Sequence, residues 1–183
     1  MYIALGTITR EDGKTYNSIL MINDKGCIEG VYNKRALWGW DCDNFERGNE
    51  LGIYEIDGIK VGTRICYEVR FPEYFRELYM NNVDLCLISF TDIGSEVDKD
   101  KRDIIKSHLV TRAVENVMHV LSSNSMSTYQ LAPSCLISPD GMVVEQSDYN
   151  KEMLLVGDIV VDRSTFGRRG RLTNSDYIID KAL

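Results

Sequence analysis

The sequence predicts an α/β domain with mixed parallel and antiparallel strand pairing, on three observations. Turn residues at 23–26 and the Asp57-Gly58 pair separate apolar runs and indicate two β-hairpins. The apolar run at residues 83–90 is typical of a strand that is covered on both faces. Two segments with helical spacing, one from Pro72 and one from about residue 96, alternate with strands. We assign all 183 residues to one domain, because this length suits a single hydrophobic core.

The elements follow in chain order from local pattern. β-branched and alternating apolar residues predict strands at residues 2–8, 18–22, 27–32, 52–56, 59–66, 83–90, 119–122 and 153–156, with a further hairpin turning at 139–141. Residues 35–50 carry two tryptophans and little periodicity, which indicates a loop of the length that is commonly functional. A helix is predicted from Pro72 to about Asn81. The next helix has a core-facing stripe at Ile104, Ile105, Leu109, Ala113, Val114 and Val117. The basic, glycine-rich segment 166–171 predicts a flexible terminus.

Composition excludes several functions. The chain has 28 acidic and 21 basic residues, a net charge of −7 that disfavours nucleic acid and anionic membranes as partners. Its apolar runs are too short to span a bilayer, and its start lacks the pattern of a signal peptide, so we expect a cytoplasmic location. Five irregularly spaced cysteines suit reduced thiols, and two isolated histidines predict no metal site. We expect no cofactor.

Cys66 is the candidate nucleophile. A strand that ends at this cysteine is followed by a helix from Pro72, and strand, turn and helix in that order present a nucleophile to a substrate. A helix N-terminus and a nearby lysine are expected to lower the pKa of its thiol. The backbone N–H of Tyr67 is placed to bind an oxyanion. The alternative is a buried structural cysteine, which is the commoner role of a free thiol.

Four further residues are candidates for the same site. Lys34 stands at a strand end and brings an ammonium to a sheet edge, although a lysine there is commonly just solvated. Asp41 lies in the loop after Lys34. It is equally well explained as a residue of the site or as an aspartate that faces solvent. Phe90 and Thr91 follow the buried strand, and α/β sites lie beyond the carboxyl ends of strands. Tyr67, Phe90 and Thr91 are assigned to substrate binding, whereas Lys34 and Asp41 are assigned to catalysis.

Three ordered motifs resemble those of the nitrilase superfamily of carbon–nitrogen hydrolases. The run Cys66-Tyr67-Glu68-Val69-Arg70-Phe71-Pro72-Glu73 resembles the family's nucleophile motif, which usually reads Cys-Tyr-Asp-x-Arg-Phe-Pro-Glu. Tyr32-Asn33-Lys34 is similar to its Tyr-x-Lys segment. Residues 112–116 with Ser123-Asn124 are similar to its Arg-Ala-x-Glu-Asn helix and the strand after it. The resemblance implies a four-layer αββα sandwich in which Lys34 stabilises a tetrahedral intermediate. Asp41 stands where the family has a second glutamate.

The chain departs from the family pattern at its start. The family's first strand, first helix and catalytic glutamate precede the segment that begins at Met1, so we expect an N-terminally truncated domain. Its exposed apolar surface and unpaired strand edge should be covered in a homodimer or higher homo-oligomer. One function is a hydrolase that acts on a small amide or nitrile through a thioester on Cys66. The alternative is a catalytically impaired module that lacks the catalytic glutamate, either a fragment or a subunit that needs a partner. Acyl transfer to an amine, as in apolipoprotein N-acyltransferase, is disfavoured by the lack of membrane segments.

Overall fold

A computed structural model describes residues 1–182 as nine strands, four α-helices and one short 3₁₀ helix. The strands are β1 (Ile3–Glu11), β2 (Lys14–Ile22), β3 (Ile28–Asn33), β4 (Ile53–Ile56), β5 (Ile59–Ile65), β6 (Leu85–Phe90), β7 (His119–Asn124), β8 (Cys135–Ile137) and β9 (Val143–Gln146). The helices are α1 (Asp41–Asn44), α2 (Pro72–Met80), α3 (Lys99–Asn116) and α4 (Phe166–Ala182), and the 3₁₀ helix spans Cys66–Arg70. In these residues no helix is both long and apolar enough to cross a membrane.

The strands form two sheets. β1, β2 and β3 make an antiparallel three-stranded sheet, and β4 to β9 make a six-stranded sheet in sequence order. Within the larger sheet β5, β6 and β7 are parallel, whereas the outer pairs are antiparallel. The predicted α/β class with mixed pairing is confirmed. The predicted Asp57-Gly58 turn joins β4 and β5 with positive φ at both residues, as a type I′ turn requires, and Asp12-Gly13 joins β1 and β2 in the same way.

The two sheets pack face to face, and α2 and α3 cover the other side of the larger sheet. Gly6 on β1 lies so close to β6 that a Cβ there would come within 2.6 Å of the Ser89 Oγ. Side chains of β6 alternate, so Cys86 and Ile88 point away from Ser89 into the main core. That core contains residues of α2 and α3, among them Phe75 and Leu109, both fully buried. Apolar burial between sheet and helices therefore holds β5 and β6 in place.

Several sequence predictions were wrong. No strand forms at residues 153–156, where Leu154 is 85% exposed and finds no neighbouring strand. The tail is helical (α4), and its Arg168 and Arg171 both bind Asp140. Ile104 is 51% exposed rather than core-facing, because the buried stripe of α3 begins one residue later. The loop at 35–50 contains the short helix α1.

Candidate active site

Cys66 lies at the junction of β5 and the 3₁₀ helix. Its φ is +47°, a left-handed conformation that is rare for residues other than glycine and is commonly found at functional sites. The chain then runs through the 3₁₀ helix into α2, which begins with Pro72 at its first position. Arg112 of α3 supports this turn, since its Nε donates to the Val69 carbonyl oxygen at 3.0 Å. Cys66 is therefore presented at the carboxyl end of a buried parallel strand.

Lys34 follows β3 and is 3% exposed. Its Nζ forms an ion pair with the Asp41 carboxylate at the start of α1. The backbone at Lys34 is held on both sides, because its N–H donates to the Asn17 carbonyl at 2.8 Å and its own carbonyl accepts from the Gly48 N–H at 3.0 Å. The ion pair with one carboxylate partner holds the buried ammonium in a fixed position.

Glu68 joins the turn at Cys66 to the segment that carries Lys34. It is fully buried, and its Oε2 accepts from the backbone N–H of Ile65, the residue before Cys66, at 2.7 Å. Its Oε1 accepts from the Tyr32 hydroxyl at 2.8 Å and from the Arg35 N–H at 2.7 Å. The Ala36 N–H is a longer donor at 3.3 Å. One carboxylate thus fixes the spacing between the two candidate catalytic residues.

A cavity of about 1040 Å³ opens at this edge of the sheets, and we call it the Cys66 cavity. All six residues assigned from the sequence line it: Lys34, Asp41, Cys66, Tyr67, Phe90 and Thr91. Trp38 stacks on Tyr67, with ring centroids 5.1 Å apart and planes 23° from parallel. The aromatic rings supply apolar surface beside the charged groups.

The electrostatics of the thiol differ from the sequence expectation. Burial raises the pKa of Cys66 to about 11, and it outweighs the opposing effect of the Lys34 charge. Asp92 and Asp41 raise the pKa further, whereas the Tyr67 N–H lowers it. The predicted lowering was wrong, because burial could not be judged from the local sequence. The thiol is neutral near pH 7, so a reaction through its thiolate would require a base.

Three charged residues of the Cys66 cavity were missed by the sequence reasoning: Arg70, Asp92 and Lys101. Lys101 lies near the start of the second predicted helix; α3 begins at Lys99, and its first turn reaches the cavity. Asp92 comes two residues after β6, which was the available signal. The described residues hold no group of three or more side chains suited to a metal ion.

Comparison with known proteins gives a consistent family assignment. The model of the carbon-nitrogen hydrolase family matches residues 1–169. The chain is 28% identical over 151 residues to a probable nitrilase of Schizosaccharomyces pombe, covering 80% of this chain and 54% of the relative. It is 28% identical over 153 residues to the 2-oxoglutaramate amidase of Bacillus subtilis, covering 80% and 57%. The chain thus spans about half the length of these curated relatives.

A solved structure shows the same fold over nearly the whole chain. It is a CN-hydrolase superfamily protein from Xanthomonas campestris with an arsenic adduct in its active site. The TM-score is 0.78 at 20% identity, and the match covers 98% of this chain and 68% of that one. The arrangement of sheets and helices in this chain is therefore the fold of that CN-hydrolase superfamily structure.

Proposed function

The chain belongs to the carbon–nitrogen hydrolase family, and we propose that it hydrolyses a small amide or nitrile through a thioester on Cys66. The observation that carries this proposal is the placement of Cys66, Lys34 and Asp41 on one cavity, with the thiol on a left-handed turn and the lysine paired with the aspartate. The amidase and nitrilase names of its relatives agree with this class of substrate.

The charges of the site suggest a reaction sequence for an amide. The Cys66 sulfur bonds to the carbonyl carbon as its proton passes to the Asp41 carboxylate, and the Lys34 ammonium binds the resulting oxyanion. When the intermediate collapses, the C–N bond breaks, the nitrogen takes the proton and ammonia leaves. Water then attacks the thioester, which releases the acid and restores the thiol.

A catalytically impaired module is the second candidate, and two observations favour it. The Asp41 carboxylate is already paired with Lys34, and the Cys66 thiol has a pKa of about 11. The removal of the thiol proton therefore lacks a free, strong base. General-base help typically contributes ~10²–10⁴-fold in rate. Under this alternative the chain is acylated slowly or needs a partner that supplies a further carboxylate.

Acylation by an activated ester tests the proposal. A p-nitrophenyl ester of a short acid should give a burst of nitrophenol that is stoichiometric with protein and is followed by slow turnover. Cys66→Ala should abolish the burst, and Cys27→Ala, which alters an exposed thiol, should leave it intact. A burst that survives in Cys66→Ala would refute the nucleophile. Asp41→Asn should slow both phases, and unchanged rates would remove Asp41 from the mechanism.

We also propose that the chain forms a homodimer or higher homo-oligomer. The face of the three-stranded sheet that points away from the larger sheet leaves Ile3 43%, Leu5 46% and Val31 37% exposed, and these residues are neighbours in the register. Apolar patches of this kind usually mark an interface. Light scattering at micromolar concentration should report more than one chain per particle, and a monodisperse monomer would count against it.

A further inference from the structure

Two arginines flank the candidate catalytic residues, and both contact one glutamate of α2. Arg35 follows Lys34 directly, and Arg64 lies on β5, two residues before Cys66. The Arg35 nitrogens Nη1 and Nη2 both donate to the Glu77 carboxylate, and the distance from Nη2 to Oε1 is 3.1 Å. The Arg64 Nη2 lies 3.5 Å from Oε2 of the same carboxylate. The segments that carry the lysine and the thiol therefore meet at one side chain of a third segment.

Arg64 fixes the Glu77 carboxylate relative to β5. Its side chain is fully buried and donates to backbone carbonyl oxygens of the loop before β4, of β5 and of α2. These bonds hold the guanidinium in one place, and among residues 1–182 its ion-pair partner is Glu77. Separating a buried cation from its carboxylate is costly, because water does not reach the site to replace the contact. Glu77 is thus held to the strand that leads to Cys66.

Arg35 transmits this fixed position to Lys34. Lys34 lines the Cys66 cavity, whereas Arg35 does not and lies against α2, with its guanidinium 4.8 Å from the ring centroid of Tyr74. A two-point contact with a carboxylate fixes the plane of a guanidinium as well as its distance. Because consecutive residues are joined by only two rotatable backbone bonds each, fixing the Arg35 side chain restricts the rotation that would turn the Lys34 ammonium out of the cavity.

We infer that Glu77 is a positioning residue: through Arg35 it holds the Lys34 ammonium at the cavity into which Cys66 opens. Glu77 does not itself line that cavity, so it acts without touching a substrate. Its part differs from that of Glu68, which accepts from the backbone N–H groups of the same segments. The inference rests on the proposed function for the role of Lys34.

Glu77→Gln tests the inference, because it removes the charge and keeps the size of the side chain. The side chain is 32% exposed, so the variant is expected to fold. The Lys34 charge lowers the pKa of the Cys66 thiol, so iodoacetamide should alkylate Cys66 about three- to tenfold more slowly at pH 8 when the ammonium is no longer held there. The acylation burst from a p-nitrophenyl ester should slow by about tenfold to hundredfold.

Matched variants identify the contact responsible. Arg35→Gln removes the other half of the pair and should slow both reactions as Glu77→Gln does, which keeps the test available if one variant is unstable. The double variant should react no more slowly than the slower single variant, because both changes break the same contact. Glu73→Gln makes the same chemical change at an exposed position of α2 and should leave both rates unchanged.

The Lys34→Gln background separates positioning from a general loosening of the fold. If Glu77 acts through Lys34, adding Glu77→Gln to that background should slow alkylation no further. A loosened turn would still change the rate when the lysine is absent. Far-UV circular dichroism confirms that each rate is measured on folded protein.

Three results would overturn the inference: alkylation of Glu77→Gln at the wild-type rate, an equal loss in Glu73→Gln, or the same loss with and without Lys34. Failure of the proposed function gives a different pattern. Alkylation would follow the expected order while the wild-type chain gave no acylation burst. A normal burst with alkylation unaffected by Glu77→Gln would instead sustain the hydrolase and overturn the positioning role.

Discussion

Glu68 should be among the most stability-sensitive positions of the chain. Glu68→Ala removes an acceptor from three donors at 2.7–2.8 Å, two of which are backbone N–H groups, in a place that solvent does not reach. A buried donor left without a partner costs about 1–3 kcal/mol. Three such donors, with partial relaxation, amount to about 3–6 kcal/mol. Since a domain is stable by roughly 5–15 kcal/mol, the alanine variant is expected to unfold or to be isolated in low yield.

Glu68→Gln is the more informative substitution, because it keeps the size of the side chain. The amide oxygen of Gln replaces one of the two carboxylate oxygens as an acceptor. The NH₂ group then faces a donor, either the Ile65 N–H or the Tyr32 hydroxyl and Arg35 N–H, and cannot accept from it. We expect a loss of about 2–3 kcal/mol in the free energy of unfolding. Glu68→Asp introduces the residue that is usual in the family motif. Because Asp is one methylene shorter, its carboxylate should reach either the Ile65 N–H or the donors of Tyr32 and Arg35, but not both.

Urea unfolding followed by far-UV circular dichroism measures these differences. Glu145→Gln makes the same chemical change at an exposed position of β9 and should stay within about 0.5 kcal/mol of the wild type. In the folded Glu68→Gln protein, alkylation of Cys66 should change in rate, because the turn is no longer tied to the Lys34 segment. The reasoning is refuted if Glu68→Gln unfolds at the same urea concentration as Glu145→Gln.

Three further predictions concern the Cys66 thiol, with two, and a glycine, with one. Because the pKa of Cys66 is about 11, iodoacetamide should label it more slowly near pH 7 than the exposed Cys27, and its labelling rate should rise roughly tenfold per pH unit up to that value; a plateau near pH 8 would contradict the raised pKa. A raised thiol pKa also means that the stabilising effect of keeping the thiol neutral is present below pH 9 and is lost as the pH rises through 11. Gly52 has φ +64°, and a Cβ there would lie 2.5 Å from the Tyr32 ring, whereas Gly58 has φ +80° and open space. Gly52→Ala should therefore unfold more easily than Gly58→Ala by about 1–3 kcal/mol, and equal urea midpoints would count against the clash.

Local sequence chemistry was enough to predict many of the strands and turns. A type I′ turn requires positive φ at two successive residues, which Asp-Gly tolerates, so Asp57-Gly58 indicated its hairpin without any tertiary information. The order of strand, cysteine and Pro72 likewise described a turn that is built within ten residues. These features follow from backbone sterics and short-range hydrogen bonds, which the sequence carries directly.

Elements that depend on distant partners could not be predicted in the same way. Residues 153–156 have a strand composition, but a strand also needs a neighbour to accept its hydrogen bonds, and none pairs with them in the described chain. The segment that becomes α4 has the composition of a flexible tail. Its ion pairs with Asp140 and the hydrogen bond between Tyr79 and Asp176 hold it against the domain.

The same distinction between local features and long-range contacts applies to the candidate site. By itself the sequence determined which residues could react, since Cys66 and Lys34 are recognisable from their motifs and from their places at strand ends. Only the tertiary structure decided their electrostatic state: burial raises the pKa of the thiol, Asp41 pairs with Lys34, and the first turn of α3 places Lys101 at the cavity. The physical reason is that desolvation and charge pairing depend on which segments pack together, and a one-dimensional pattern does not contain those contacts.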